Sequence, residues 1–176
     1  MPGVLHGFLQ TEAYARALLE TFPGVTAEMV AARLAARMER QQRILLRDDP
    51  PEAWFVVDEL SLYREVGSPE IMAGQCTHLA EVARLPNVTM QVLPAVAHPA
   101  TASEFIVTES AAYVEHVTGG LVHVEAETVT SLARLFTTIL SESYRASESL
   151  RMLEGMAETW TTGGSPVIAL RTADHA

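Results

Sequence analysis

The order in which the hydrophobic period changes along the chain limits the fold more than any other feature. Two helical-period segments come first, at about 12–22 and 27–47. A buried strand pattern follows at Ala53 to Asp58 (AWFVVD), then a helix at about 69–84 and a strand at Val88 to Leu93. Three short strand patterns at about 104–109, 112–117 and 121–124 precede two last helices, at about 127–144 and 147–160. Helices gather at both ends instead of alternating with strands. That order predicts an α+β fold, a small antiparallel or mixed sheet packed against several long helices, and argues against a doubly wound sheet.

The punctuation agrees with these boundaries. Thr11 is placed to cap the first helix, with Glu12 favourable in its first turn, and Pro23-Gly24 stops it. Thr26 caps the second helix, and Asp48, Asp49, Pro50 and Pro51 end it. Ser68 and Pro69 form an N-cap and N1 pair, with Glu70 behind them. Ser147 reads as the cap of the last helix. Met1 to Gln10 reads as extended, Glu59 to Tyr63 as one helical turn, and 94–103 as a Pro/Ala-rich loop. Length supports one domain over 1–160, followed by a tail, 161–176, with a short strand pattern at Val167 to Leu170.

Composition narrows the chemistry. All twelve basic residues are arginine. Without lysine there is no Schiff-base enzyme, no pyridoxal-phosphate anchor and no Walker-type phosphate lysine. The bias toward Arg and Ala fits a GC-rich genome, and Arg stays charged in proteins. Twenty-two acids give a formal net charge of −10, which argues against bulk attraction to DNA or anionic membranes. The single Cys76 lies in an apolar helical stretch and reads as a buried inert thiol. With no CxxC, signal peptide or long apolar run, a cytoplasmic location is expected. No GxSxG, GxGxxG, HExxH or EF-hand loop occurs, so no cofactor or metal is expected.

Three constellations stand out. A two-residue Gly119-Gly120 turn would pair His116 with His123 and Val114 with Glu125. Two imidazoles that close can share a metal with Glu125 or move protons; the competing reading is a solvated sheet face, since spacing sets no third ligand. On the other face, Glu115 sits among Tyr113, Val117, Val122 and Val124, so it is either salt-bridged or lines a pocket. Arg33, Arg37, Arg40, Arg43 and Arg47 fall within fifteen residues. They form a docking face for an acidic partner, a phosphate site, or a solvated helix face balanced by Glu28 and Glu39. Their spacing matches no nucleic-acid motif.

The segments GFLQTEAYARALL (7–19), VAARLAARMERQQRILLRDDPPEAWFVVDE (30–59), VGSPEIMAGQCTHLAEVARLPNVTMQVLP (66–94), AYVEHVTGGL (112–121) and the helical stretch 127–153 resemble one family. It is the antitoxin-like C-terminal domain, formerly of unknown function, that follows a small helix-turn-helix in many actinobacterial XRE-type regulators. The resemblance covers about 2–155. The family's usual proline in the first motif is His6 here, and its Gly-containing loop after the fourth strand is replaced by HPATASEF (98–105). The chain begins almost at the first motif, which leads us to expect either a trimmed regulator or a domain recruited to another use.

The resemblance implies a ligand- or partner-sensing domain with no DNA contact by this chain. Its partner would be a small-molecule effector or a small protein, with a homodimer as a further expectation. Facing and family motifs nominate Trp54, Gln91, Tyr113 and Glu115 as pocket lining, with Gln10 and Tyr14 at its mouth. The five α-helical arginines are the candidate partner-binding set. The alternative is a small biosynthetic enzyme doing acid–base cyclisation, isomerisation or dehydration. For it the candidate catalytic residues are Glu115, Tyr113, His98, His116 and Glu104.

Overall fold

The computed structural model describes residues 3–45, 47–95, 104–115, 120–163 and 166. Helix α1 (Glu12–Glu20) starts as expected, with the Thr11 hydroxyl accepting the Tyr14 N–H at 3.2 Å. The segment before it is not extended. It makes a 3-10 turn, Gly7–Leu9, in which His6 Nδ1 accepts the Phe8 N–H at 3.3 Å. An imidazole is an unusual cap, so the usual Ser, Thr, Asp or Asn signal for a turn was missing. Helix α2 (Ala27–Leu45) begins at Thr26, which accepts the Met29 N–H. It lies against α1 and the 3-10 turn. There Val30 and Leu34 join Ala15 and Leu19 in a small second core.

Strand β1 (Ala53–Asp58), the single turn α3 (Leu60–Tyr63), helix α4 (Pro69–Val82) and strand β2 (Val88–Leu93) form a crossover unit. The two strands run parallel, from Ala53 opposite Val88 to Asp58 opposite Leu93. Ser68 caps α4 through the Ile71 N–H, and Pro69 takes the first helical position. Gly67 before it is required: its φ is +79°, and an added Cβ would lie 2.7 Å from Ile71 Cδ1 and 2.9 Å from Ala17 Cβ.

Helices α5 (Ala126–Glu142) and α6 (Ala146–Thr161) complete the chain's described helices. Helix α6 lies along α4. Their buried faces, including Met72, Cys76, Leu79, Leu153, Met156 and Trp160, pack on Val57, Met90 and Val92 of the parallel pair. The cap of α6 is Arg145, not Ser147: the Glu148 carboxylate reaches back to accept the Arg145 N–H at 3.1 Å. That carboxylate serves the exposed N–H two residues before Ser147, which lies inside the first turn. The second edge of β2 is filled by this same corner. Ser149 Oγ accepts the Val92 N–H at 2.9 Å and the Tyr144 N–H donates to Val92 O at 2.9 Å. These bonds occupy the edge where a third strand would pair.

The remaining strands form a separate antiparallel sheet, ordered β3 (Phe105–Val107), β4 (Ala112–Val114), β5 (Leu121–His123). The fold is therefore mixed α+β, with its strands divided between two sheets. The hairpin register differs from the one a two-residue turn requires. His123 lies opposite Ala112 and Val114 opposite Leu121, a shift of four residues. Gly120 makes room for a side chain instead, because a Cβ there would overlap the ring and hydroxyl of Tyr113. Because the shift is even, the described strand side chains keep their predicted faces. Helix α5 covers one face, where Phe105 meets Phe136 edge-on at 6.4 Å. Among the described residues, no helix is long and apolar enough to cross a membrane.

Candidate ligand-binding site

The face of the three-stranded sheet turned away from α5 carries Tyr113 and Glu115, and the Glu115 charge acts on His6, before the 3-10 turn, and on Arg37 of α2. The sequence pattern sets the α2 side. Arg37 and Gln41 are four residues apart and share a face. The Gln41 side-chain amide donates to Gly7 O and to Gln10 O, both at 2.8 Å. Arg37 donates to the side-chain oxygen of Gln10, whose own amide donates to Leu5 O at 2.6 Å. Gln10 is thus a buried brace, 2 % exposed, and not an open pocket mouth. Burial pulls Arg37 below the ordinary arginine value, and Glu104 and Glu115 oppose that pull.

The two carboxylates are cross-strand neighbours, since the Glu115 N–H donates to Glu104 O at 2.9 Å. Like charges directly opposite are destabilising. Two features relieve the pair. Burial holds the Glu104 carboxyl above its usual range, with Glu115 adding to the rise and Arg37 countering it. The Tyr113 hydroxyl donates to Glu115 Oε2 at 2.5 Å, which keeps the phenol protonated to higher pH than usual. The electrostatic circle closes at His6. Burial lowers its pKa to about 4; Glu115 opposes this, while Arg37 and Arg40 add to it. The ring is neutral at pH 7, and because Nδ1 accepts from Phe8, its hydrogen sits on Nε2.

His6 gives a pH signature. Its folded-state value lies below the unfolded one, so protonation favours the unfolded chain. The stability it contributes is complete above pH ~6.5 and is lost as pH falls toward about 4. Asn can replace the capping acceptor without titrating. We expect the stability advantage of wild type over His6→Asn to shrink by about 1–3 kcal/mol between pH 7 and 4, measured by urea unfolding. A constant difference across that range would contradict the assignment.

The other nominated residues lie elsewhere. Tyr14 is fully buried and accepts the Leu5 N–H at 3.3 Å, a core role. Gln91 donates to Tyr144 O at 2.7 Å and ties β2 to the α5–α6 corner. Trp54 is 50 % exposed and lines a shallow concavity of about 120 Å³ with Glu52, Ala53, Pro86, Asn87 and Thr89. A larger open groove of about 370 Å³ runs along the outside of α1, beside Ile71. Neither concavity includes a cluster residue. His98 and His116 lie outside the described residues. His123 sits 3.8 Å from Glu125. Among the described residues, no three His, Cys, Asp or Glu side chains are grouped to hold a metal. Burial pushes the Cys76 thiol up to about 12, as expected for an inert core residue.

Arg33, Arg40, Arg43 and Arg47 are exposed, so Arg37 alone of the five turns partly inward. His6, Gln41 and Gln75 were missed by sequence reasoning. Gln75 is fully buried, accepts the Thr11 N–H at 2.7 Å and donates to Leu9 O at 2.7 Å, so it holds the backbone on both sides of Gln10. The one sequence signal for His6 was that it stands where a proline is usual.

Comparison with known proteins places this arrangement in a family without placing it in a reaction. A family model described as Domain of unknown function (DUF5753) matches residues 1–155. No curated protein and no solved structure matches the chain. The match covers both sheets, every member of the polar cluster and all of the two cores except the last turns of α6, which carry Met156 and Trp160, so the chain belongs to the DUF5753 family.

Proposed function

We propose that this domain is the ligand- or partner-sensing part of a bacterial XRE-type transcriptional regulator, making no DNA contact itself. The observation that carries the reading is the polar cluster. Three separate stretches, 6–10, 37–41 and 104–115, bring arginine, two carboxylates, a phenol and a neutral imidazole within electrostatic reach of one another. Arg37 hydrogen-bonds a neutral amide and feels Glu104 and Glu115 only through their charge, and a ligand carboxylate can offer it a stronger, bidentate bond. Such a ligand would also meet Tyr113 and the hydrogen of His6.

The test is a thermal-shift screen with carboxylate-bearing metabolites on wild type, Arg37→Met and Glu115→Gln. A ligand at 100 times its dissociation constant stabilises by about 2.7 kcal/mol, a rise of several degrees. We expect that rise in wild type and its loss in Arg37→Met. No stabilised condition, or an equal rise in both variants, overturns the reading.

A second reading has its own support. The Tyr113–Glu115 bond, beside a Glu104 carboxyl of raised pKa, is also an acid–base arrangement, suited to the cyclisation, isomerisation or dehydration chemistry of a small biosynthetic enzyme. That reading requires turnover whose pH dependence disappears in Glu115→Gln. Saturable binding with no turnover favours the sensor.

A further inference from the structure

We propose that the outward face of α2 is a docking surface for an acidic α-helix of a partner protein, adjoining the Glu115 cluster at Arg40 and extending beyond it through Arg33 and Arg43. Of nineteen residues in α2, Val30, Leu34 and Leu45 are buried. At about 100° per residue, Met29, Arg33, Ala36, Arg40 and Arg43 fall within an arc of about 80° on the opposite side. Arg37 lies between this arc and the buried stripe, which is why it reaches Gln10 while the others face solvent.

Charge decides what the arc can take. Between 33 and 47, five arginines and Glu39 give a local charge of +4, so the rest of this −10 chain carries −14. Arg43 has a partner in Glu39 at 3.6 Å, but both side chains are more than two-thirds exposed. An exposed pair of this kind contributes only about 0–1 kcal/mol and exchanges readily for a better carboxylate. The face also has an apolar anchor at its N-terminal end, Met29, which is 41 % exposed. Exposed Ala36, between Arg33 and Arg40, lets a second backbone come close. A phosphate backbone has no use for Met29, and the chain's overall acidity repels a duplex. A helix presenting carboxylates at i, i+7 and i+10 matches Arg33, Arg40 and Arg43, with one apolar side chain for Met29.

The test measures fluorescence anisotropy with three labelled probes: a helical peptide with Glu at those positions and one Leu anchor, the same peptide with Gln for Glu, and a DNA duplex of matched length. Arg33→Glu/Arg43→Glu is compared with Arg134→Glu/Arg151→Glu, which makes the same charge change on exposed arginines of α5 and α6. We expect the acidic peptide to bind wild type, with affinity falling at least about tenfold in the α2 variant and within about twofold in the control. Circular dichroism confirms that both variants are folded, and Arg33→Gln/Arg43→Gln replaces the α2 variant if it is not. No binding of the acidic peptide, equal binding of the Gln peptide, equal loss in the control, or tighter binding of DNA each overturns the proposal. The thermal-shift response to small carboxylates should survive in Arg33→Glu/Arg43→Glu, so this surface and the cluster can fail independently.

Discussion

Gln75→Leu is expected to lower the unfolding free energy by about 2–5 kcal/mol. The side chain is fully buried and both ends of its amide are used, on Thr11 N–H and Leu9 O. Leucine fills similar space but leaves a buried donor and a buried acceptor unpaired, at about 1–3 kcal/mol each. For a domain of this size the melting temperature should fall by about 2–4 °C per kcal/mol. Gln75→Glu distinguishes the hydrogen bonds from packing. A carboxylate can accept from Thr11 but must be protonated to donate to Leu9, so this variant should recover stability as pH falls. A loss below about 1 kcal/mol in Gln75→Leu, or no pH dependence in Gln75→Glu, would refute the role. Leu9 and Thr11 flank Gln10, so Gln75→Leu should also loosen the Gln10–Arg37 brace and weaken any ligand response.

Trp160→Ala should be of similar or greater severity, about 3–5 kcal/mol. Trp160 is 3 % exposed near the end of α6, and its indole N–H donates to Leu62 O at 3.0 Å, 98 residues away in sequence. Removing it opens a cavity between α6 and α3 and orphans a buried carbonyl. Trp160→Phe keeps much of the ring volume and loses the bond, so it should cost about 1–3 kcal/mol. Urea unfolding with an unchanged m-value would report both as stability effects on one cooperative unit. If alanine and phenylalanine cost the same, packing contributes little and the account fails.

The parts of the fold legible in the sequence were those governed by neighbours three or four residues apart. Ser68, Pro69 and Thr11 specify helix starts through bonds within one turn, and the structure begins α4 and α1 there. The strand Val88–Leu93 follows Pro86 and Asn87 as expected. The site was half legible. Tyr113 and Glu115 share a face by the two-residue period of a strand, and a four-residue slip left that face unchanged. The His116–His123 pairing depended on the register itself, which an even slip moves without disturbing the pattern.

Gln75, Gln41 and His6 were not legible because their partners are distant or atypical. Gln75 bonds across 64 and 66 residues, and Gln41 across 34 and 31. The five arginines show the division best. Helical spacing alone placed Arg33, Arg37, Arg40 and Arg43 on one side of α2, since 3.6 residues per turn needs no other information, while Arg47 falls past the end of the helix at Leu45. Only packing against the 3-10 turn separated Arg37, which is drawn inward to Gln10, from its exposed neighbours. The amino-acid order dictated the elements, their faces and the acid–arginine balance, because those follow from local sterics and period. The strand register and the Glu104–Glu115 juxtaposition came from strand pairing that an even slip leaves open, and the environment of His6 from tertiary packing, because the Glu115 charge that acts on it lies about a hundred residues away.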